Sequence, residues 1–249
     1  MSPRELDRLS PVAVVGAMAE EVERLRSRLV DGVTLLAEPF KVERGVIAGV
    51  PVLLAECGVG KVNAAALTQY LIGNGAKSLV FTGVAGALDV DLAVGDVVIG
   101  ESAVQHDVDV TALGYAPGHV PGATAAWQAD RELVVLATAA ALAAAGSGRH
   151  GGPGAFKVRV GTVATGDQFI DSPDRGAELR LLFGAVCAEM EGAACAQVCA
   201  AWGVPFVIVR SISDNADHSA NVDFRSFTSL AAERADRIVT GVMEALSRQ

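Results

Sequence analysis

The sequence predicts a three-layer αβα sandwich around a mixed, curved central sheet. Three observations point there. Short apolar runs rich in β-branched residues alternate with stretches of helical periodicity along almost the whole chain, an alternation that places helices on both faces of a sheet. Glycine turns and isolated acids recur where the apolar runs end, and in such folds ligands bind beyond the carboxyl ends of the strands. The 249 residues are 51% hydrophobic but only 5% aromatic. That suits one large core built mainly from Val, Leu, Ile and Ala.

Val12–Val15 reads as a short strand closed by Gly16. Met18, Val22, Leu25 and Leu29 follow at helical spacing, giving a strand–turn–helix opening. Val46-Ile47, a turn at Gly49 and Val52–Ala55 predict a hairpin. Gly58-Val59-Gly60 interrupts the pattern before a helix from Lys61 to Gly73. Ser78–Thr82 is a buried strand that ends in Gly83-Val84-Ala85-Gly86. Asp96–Ile99 and Val104–Thr111 are read as two further strands. Residues 114–126 hold three glycines and two prolines and predict a long loop. A helix is expected from Asp130 to Ala145, and Gly146–Gly154 as a surface loop rather than a domain boundary. Val158–Val163 is a strand, and Ala185–Glu189 is a strand running into a helix over Glu191–Ala201. Pro205–Ser211 is the last strand, and an amphipathic helix closes the chain from Phe227 to Leu246. Residues 1–11 are expected to be a flexible N-terminal tail and 12–249 a single domain.

Charge narrows the function classes. The net charge is −9 and the pI is near 4.9, which offers no electrostatic footprint for nucleic acid or anionic membranes. No apolar run reaches the roughly 18 residues of a membrane helix. The N-terminus carries charges where a signal peptide needs an apolar stretch, so the expected location is cytoplasmic. Cys57, Cys187, Cys195 and Cys199 form no Cys-x-x-Cys pair and lie in apolar segments, as buried free thiols do in a reducing compartment. His106, His119, His150 and His218 show no metal or triad spacing; no metal and no cofactor are expected.

The chemistry is carried by acids at strand ends. Gly58-Val59-Gly60-Lys61 lacks the glycine and the Ser/Thr of a phosphate-binding P-loop, and by itself reads as a strand–helix turn. Glu20 and Glu21 open a helix, where acids complement the dipole. Glu189-Met190-Glu191 sits where a strand meets a helix, where a glutamate can serve as a cap. Asp214 follows the strongest β-like run and, as Asp often does there, can cap a helix or turn. Each acid thus has an ordinary structural reading beside a functional one.

Taken in order, Gly16-Ala-Met-Ala-Glu-Glu21, Glu189-Met-Glu191 and Arg210-Ser-Ile-Ser-Asp214 resemble the 5′-methylthioadenosine/S-adenosylhomocysteine nucleosidases of the nucleoside phosphorylase superfamily. The likeness spans roughly residues 12–247. It implies hydrolysis of the N-glycosidic bond of a 5′-thio-substituted adenine nucleoside without a cofactor. Glu21 would be the general base for water, and Asp214 the general acid at adenine N7, oriented by Ser213. Glu191 would accept from the ribose hydroxyls beside Met190. The resemblance also places Met18, Val84, Ala85, Gly86, Phe169, Ile170, Glu189, Arg210 and Phe224 around the substrate, with Phe169-Ile170 as the adenine clamp. It implies a homodimer in which Leu113, Tyr115 and Pro121 reach the partner subunit's pocket. Two departures stand out: relatives often carry Ser at the position of Val84 and Phe at that of Leu113. A futalosine or aminodeoxyfutalosine hydrolase therefore remains an alternative, since Leu113 makes room for a bulkier 5′ group. A phosphorylase is a second alternative, which Glu21 disfavours by repelling an anion. A nucleoside-binding protein without activity would be expected to have lost the acids.

Overall fold

The computed structural model describes the backbone of residues 8–146, 155–216 and 220–248, with side chains from 217 to 226 and at 228 and 229 outside the description. Its elements are β1 (Val12–Gly16), α1 (Ala19–Arg26), β2 (Val30–Leu36), β3 (Lys41–Ile47), β4 (Val50–Glu56), α2 (Lys61–Gly73), β5 (Ser78–Ala87), β6 (Val97–Gln105), β7 (Trp127–Gln128), α3 (Arg131–Gly146), β8 (Val158–Thr165), α4 (Pro173–Phe183), β9 (Ala185–Glu189), α5 (Gly192–Trp202), β10 (Phe206–Asp214) and α6 (Ala220–Ser247).

All ten strands belong to one mixed sheet. β5 runs parallel to β1 and to β10, and its last residues, Gly86 and Ala87, pair antiparallel with β9. β9 continues to β8, β8 to β6, and β6 back to β10. Five strands therefore close into a ring, while β1, β4, β3 and β2 extend from β5 as an open wing. The expected curvature is real, and it goes as far as closure.

Alternation along the strands makes the layers. Ala13, Val15, Leu53, Leu79, Phe81 and Ile208 face one side, where α2 and α5 cover them with Leu67, Leu71, Cys195 and Cys199. Val12, Val14, Leu54, Val80, Val207 and Val209 face the other, against α1, α3 and α6. Helix–helix contact is close on the first side because α5 is lined with Ala and Cys; the Thr68 hydroxyl donates to Cys195 Sγ at 3.1 Å. All four cysteines are buried and free. Among the described residues no helix is long and apolar enough to cross a membrane.

Several elements differ from the sequence reading. β2 carries no apolar alternation and lies exposed at the edge of the wing. β6 is one strand through Gly100, which β8 and β10 pack so tightly that a β-carbon there would fall 2.9 Å from Val163. It stops at Gln105, so residues 106–111 are not strand. α4 begins on a Ser172 cap and Pro173 but has a weak apolar face, with Leu181 and Leu182 exposed. α6 starts earlier than expected, at Ala220. Residues 8–10, expected in the tail, are anchored. Leu9 is fully buried, its carbonyl accepts from Ser78 Oγ at 2.6 Å, and Arg8 pairs with Glu132. Most of the expected 146–154 loop lies outside the described residues.

Candidate active site

The carboxyl ends of β1, β5, β8, β9 and β10 meet around a cavity of about 470 Å³. Every acid of the sequence motifs except Glu20 reaches it; Glu20 is exposed.

Glu21 sits on the first turn of α1 and points back over the end of β1. Its Oε2 accepts from the Ala17 N–H at 2.6 Å and the Met18 N–H at 2.9 Å, and its Oε1 accepts from the Val84 N–H at 3.1 Å. The helix-start reading thus holds, and the same side chain faces the cavity. Burial pushes its pKa above the ordinary value, against the pull of Arg210 and the three backbone donors. A group so poised suits proton acceptance. The approach of Glu21 to β5 requires Gly83, where a β-carbon would fall 2.6 Å from Glu21 Oε1 and 3.0 Å from Arg210 Nη1.

Glu189 and Glu191 are equally buried, at 7% and 6% exposure, yet bonded differently. Glu189 accepts from Thr165 Oγ1, from the backbone N–H groups of Glu191 and Gly192, and from Arg210 Nη2. Its acceptor sites are filled from within the protein. Among the described residues Glu191 has one protein donor, the Gly60 N–H at 2.8 Å on Oε1. Burial, with Glu189 close by, raises the Glu191 pKa to about 8.

Arg210 is 1% exposed, lies over the Phe81 ring at 4.3 Å and pairs with Glu189. Burial opposes its charge, but Glu189, Glu191 and Glu21 together raise its pKa. It does not line the cavity, so its expected place among the substrate contacts is corrected: it is the buried counter-ion of the acids. Glu189 lines the cavity as expected, and its acceptor sites are taken up by Arg210, Thr165 and the backbone donors.

Asp214 ends β10, 2% exposed. Ser213 Oγ donates to its Oδ2 at 2.8 Å and the Ala216 N–H to its Oδ1 at 2.9 Å. The turn-capping role and the expected Ser213 contact are both present. Opposite, Phe169 is 49% exposed and Ile170 is buried, both on the cavity wall. Met18, Val84, Ala85, Gly86 and Met190 also line it.

Leu113, Tyr115 and Pro121 do not line this cavity; they are exposed, Leu113 at 74%. The Phe224 side chain lies outside the described residues. The sequence reading missed Ala17, Val59, Gln168, Asp171 and Ala188. All five neighbour motif residues in sequence, and that adjacency was the only signal for them. Among the described residues no group of three or more His, Cys, Asp or Glu is placed to hold a metal ion.

A curled α/β sheet with carboxylates from separate segments around one cavity defines a class of nucleoside-processing enzyme, and the chain belongs to the Phosphorylase superfamily, which it matches over residues 11–244. Within that family it is 41% identical over 233 residues to a 5′-methylthioadenosine/S-adenosylhomocysteine nucleosidase of Geobacillus thermodenitrificans, covering 93% of this chain and 95% of the relative. The Neisseria meningitidis enzyme of the same name, solved with methylthio-immucillin-A, is 39% identical and superposes with a TM-score of 0.88 over 94% of this chain and 98% of its own. A futalosine hydrolase of Helicobacter pylori is 32% identical, with a TM-score of 0.85 over 94% and 97%.

Proposed function

We propose that this protein hydrolyses the N-glycosidic bond of 5′-methylthioadenosine and S-adenosylhomocysteine, releasing adenine. The carrying observation is that Glu21, Glu191 and Asp214, from three distant segments, line one cavity beside Phe169. The relatives at about 40% identity support the same reaction.

Adenine stacks on Phe169 and its edge faces Asp214. Asp214 gives a proton to N7 as the N9–C1′ bond breaks, so that the bonding pair leaves on a neutral base. The sugar becomes oxocarbenium-like, and water adds at C1′ while Glu21 takes its proton. Glu191 holds the vicinal ribose hydroxyls. The Gly60 N–H engages its Oε1, which leaves Oε2 to accept from a ribose hydroxyl. Val84 brings no hydroxyl, so positioning of the water falls to Glu21. This sequence of steps balances without a cofactor.

Water rather than phosphate is favoured because Glu21 faces the cavity and Arg210 is committed to Glu189. The futalosine-type nucleosides are the second reading; Leu113 leaves space for a larger 5′ substituent, and the Helicobacter pylori neighbour has that activity in its name. We infer a cytoplasmic homodimer in which Leu113, Tyr115 and Pro121 complete the partner's 5′ pocket; the exposure of this loop supports it.

The test is incubation with methylthioadenosine, with and without phosphate. Free methylthioribose at a phosphate-independent rate is expected. Sugar 1-phosphate would overturn the role of Glu21, and release of base only from futalosine-type substrates would select the second reading. Asp214→Asn should lower kcat by about 10²–10⁴-fold, the usual worth of general-acid help.

A further inference from the structure

We propose that Lys61, Asp107 and Asp167 form a positioning latch that ties the base-stacking segment around Phe169 to the sugar-binding carboxylate Glu191. The proposal rests on the nucleosidase reading and extends it to residues outside the cavity wall.

The latch is a closed ring of three hydrogen bonds among three chain segments. The Lys61 N–H donates to Asp167 Oδ1 at 2.9 Å. The Asp167 N–H donates to Asp107 Oδ2 at 2.9 Å. Lys61 Nζ returns to Asp107 Oδ1 at 2.6 Å, with a further bond to Gln105 Oε1 at 3.1 Å. The side chains of Lys61 and Asp107 are 17% and 16% exposed, so water competes weakly for the pair. Partial burial works against the Asp107 charge, yet the Lys61 bond and the Asp167 N–H hold its carboxyl below the usual value.

Each corner of the ring touches something the reaction uses. Gly60, one residue before Lys61, donates its N–H to Glu191. Asp167 lies two residues before Phe169, on the segment that leaves β8. Asp107 follows His106, whose ring is 5% exposed and so close beneath Gly166 that a β-carbon there would fall 2.3 Å from Nε2. The segment is thus supported from below by His106 and held from the side by Asp107. Consecutive amides at 60 and 61 grip Glu191 and Asp167 respectively. A shift of either grip moves the other, so the sugar carboxylate and the base clamp are set as one unit. The ring spans three segments, a geometry that fits alignment of the two grips.

The experiment is steady-state kinetics on methylthioadenosine for Lys61→Met, Asp107→Asn, the double variant and Lys61→Arg, with thermal unfolding of each. Loss of alignment should raise KM about tenfold in each disrupting single variant, with kcat changed less than about threefold, a moderate cost for misplaced positioning groups. Because the two act through one ring, the double variant should be no worse than the poorer single. Lys61→Arg, which keeps charge and reach, should recover most of KM. If Lys61→Met does not fold, Asp107→Asn, which keeps the side-chain volume, carries the test. Wild-type KM in the folded singles, or losses that multiply in the double, overturns the latch and leaves the nucleosidase reading standing. A wild-type protein that releases no base overturns both.

Discussion

Glu189 and Glu191 stand two residues apart, equally buried, and do opposite work. Glu189 lines the cavity but is anchored to Arg210, Thr165 and the first amides of α5. Glu191 lines it too, with a single protein donor among the described residues, on one oxygen. Burial does not distinguish a structural acid from a chemical one here. Hydrogen-bond saturation differs between them: Glu189 has spent its acceptor sites, whereas Glu191, among the described residues, accepts from the Gly60 N–H alone, as the role proposed for it requires.

The sharpest way to break that comparison is to remove each acid. Glu189→Ala strands the Arg210 charge in the core, and breaking a buried pair in this way costs about 3–5 kcal/mol. Urea denaturation should show a loss of that size, while Glu191→Ala should unfold nearly as the wild type does and lose substrate binding instead. Equal destabilisation by the two would erase the distinction. A smaller effect is expected at the junction between anchor and cavity. Gly83→Ala puts a methyl against Glu21 Oε1, and kcat should fall about tenfold through misplacement of the base; unchanged turnover would show that Glu21 has room to move. The smallest effect is a slope. The Glu191 pKa is raised from 4.5 to about 8, so its contribution to stability is fully present below pH 4.5 and is lost as pH rises through about 8. Melting temperature followed from pH 5 to 8 should therefore fall more for the wild type than for Glu191→Gln. Parallel curves would mean that Glu191 is ionised throughout.

The motifs at strand ends were legible because an acid after a buried apolar run is rare and costly. Glu21, Glu191 and Asp214 stood out on that ground and took their expected roles from the family resemblance; Glu21 and Asp214 also fill the structural roles that sequence allows, whereas the first amide of α5 is capped by Glu189 rather than Glu191. Arg210 was misplaced for a physical reason. Strand alternation locates a side chain on one face or the other, but it cannot say that a guanidinium will lie on Phe81 and turn toward Glu189. β2 and α4 escaped notice because one is an exposed edge strand and the other a helix without a strong apolar stripe. The latch escaped because its parts are ordinary polar residues separated by 46 to 106 positions, brought together only by the fold.

Closure of the five-stranded ring has a consequence for how the protein comes into being. β5 pairs with β10, whose partners lie more than a hundred residues further along the chain, as in Val84 with Ser211. Such non-local pairing forms slowly, because loop entropy is spent before contacts return it. β10 also carries both Arg210 and Asp214. Until it inserts between β5 and β6, Glu189 has no counter-ion and the pocket lacks Asp214, the proposed proton donor. On the proposed mechanism, completion of the fold and onset of chemistry therefore coincide, and a polypeptide caught before that step would hold most of the cavity's residues yet not turn over.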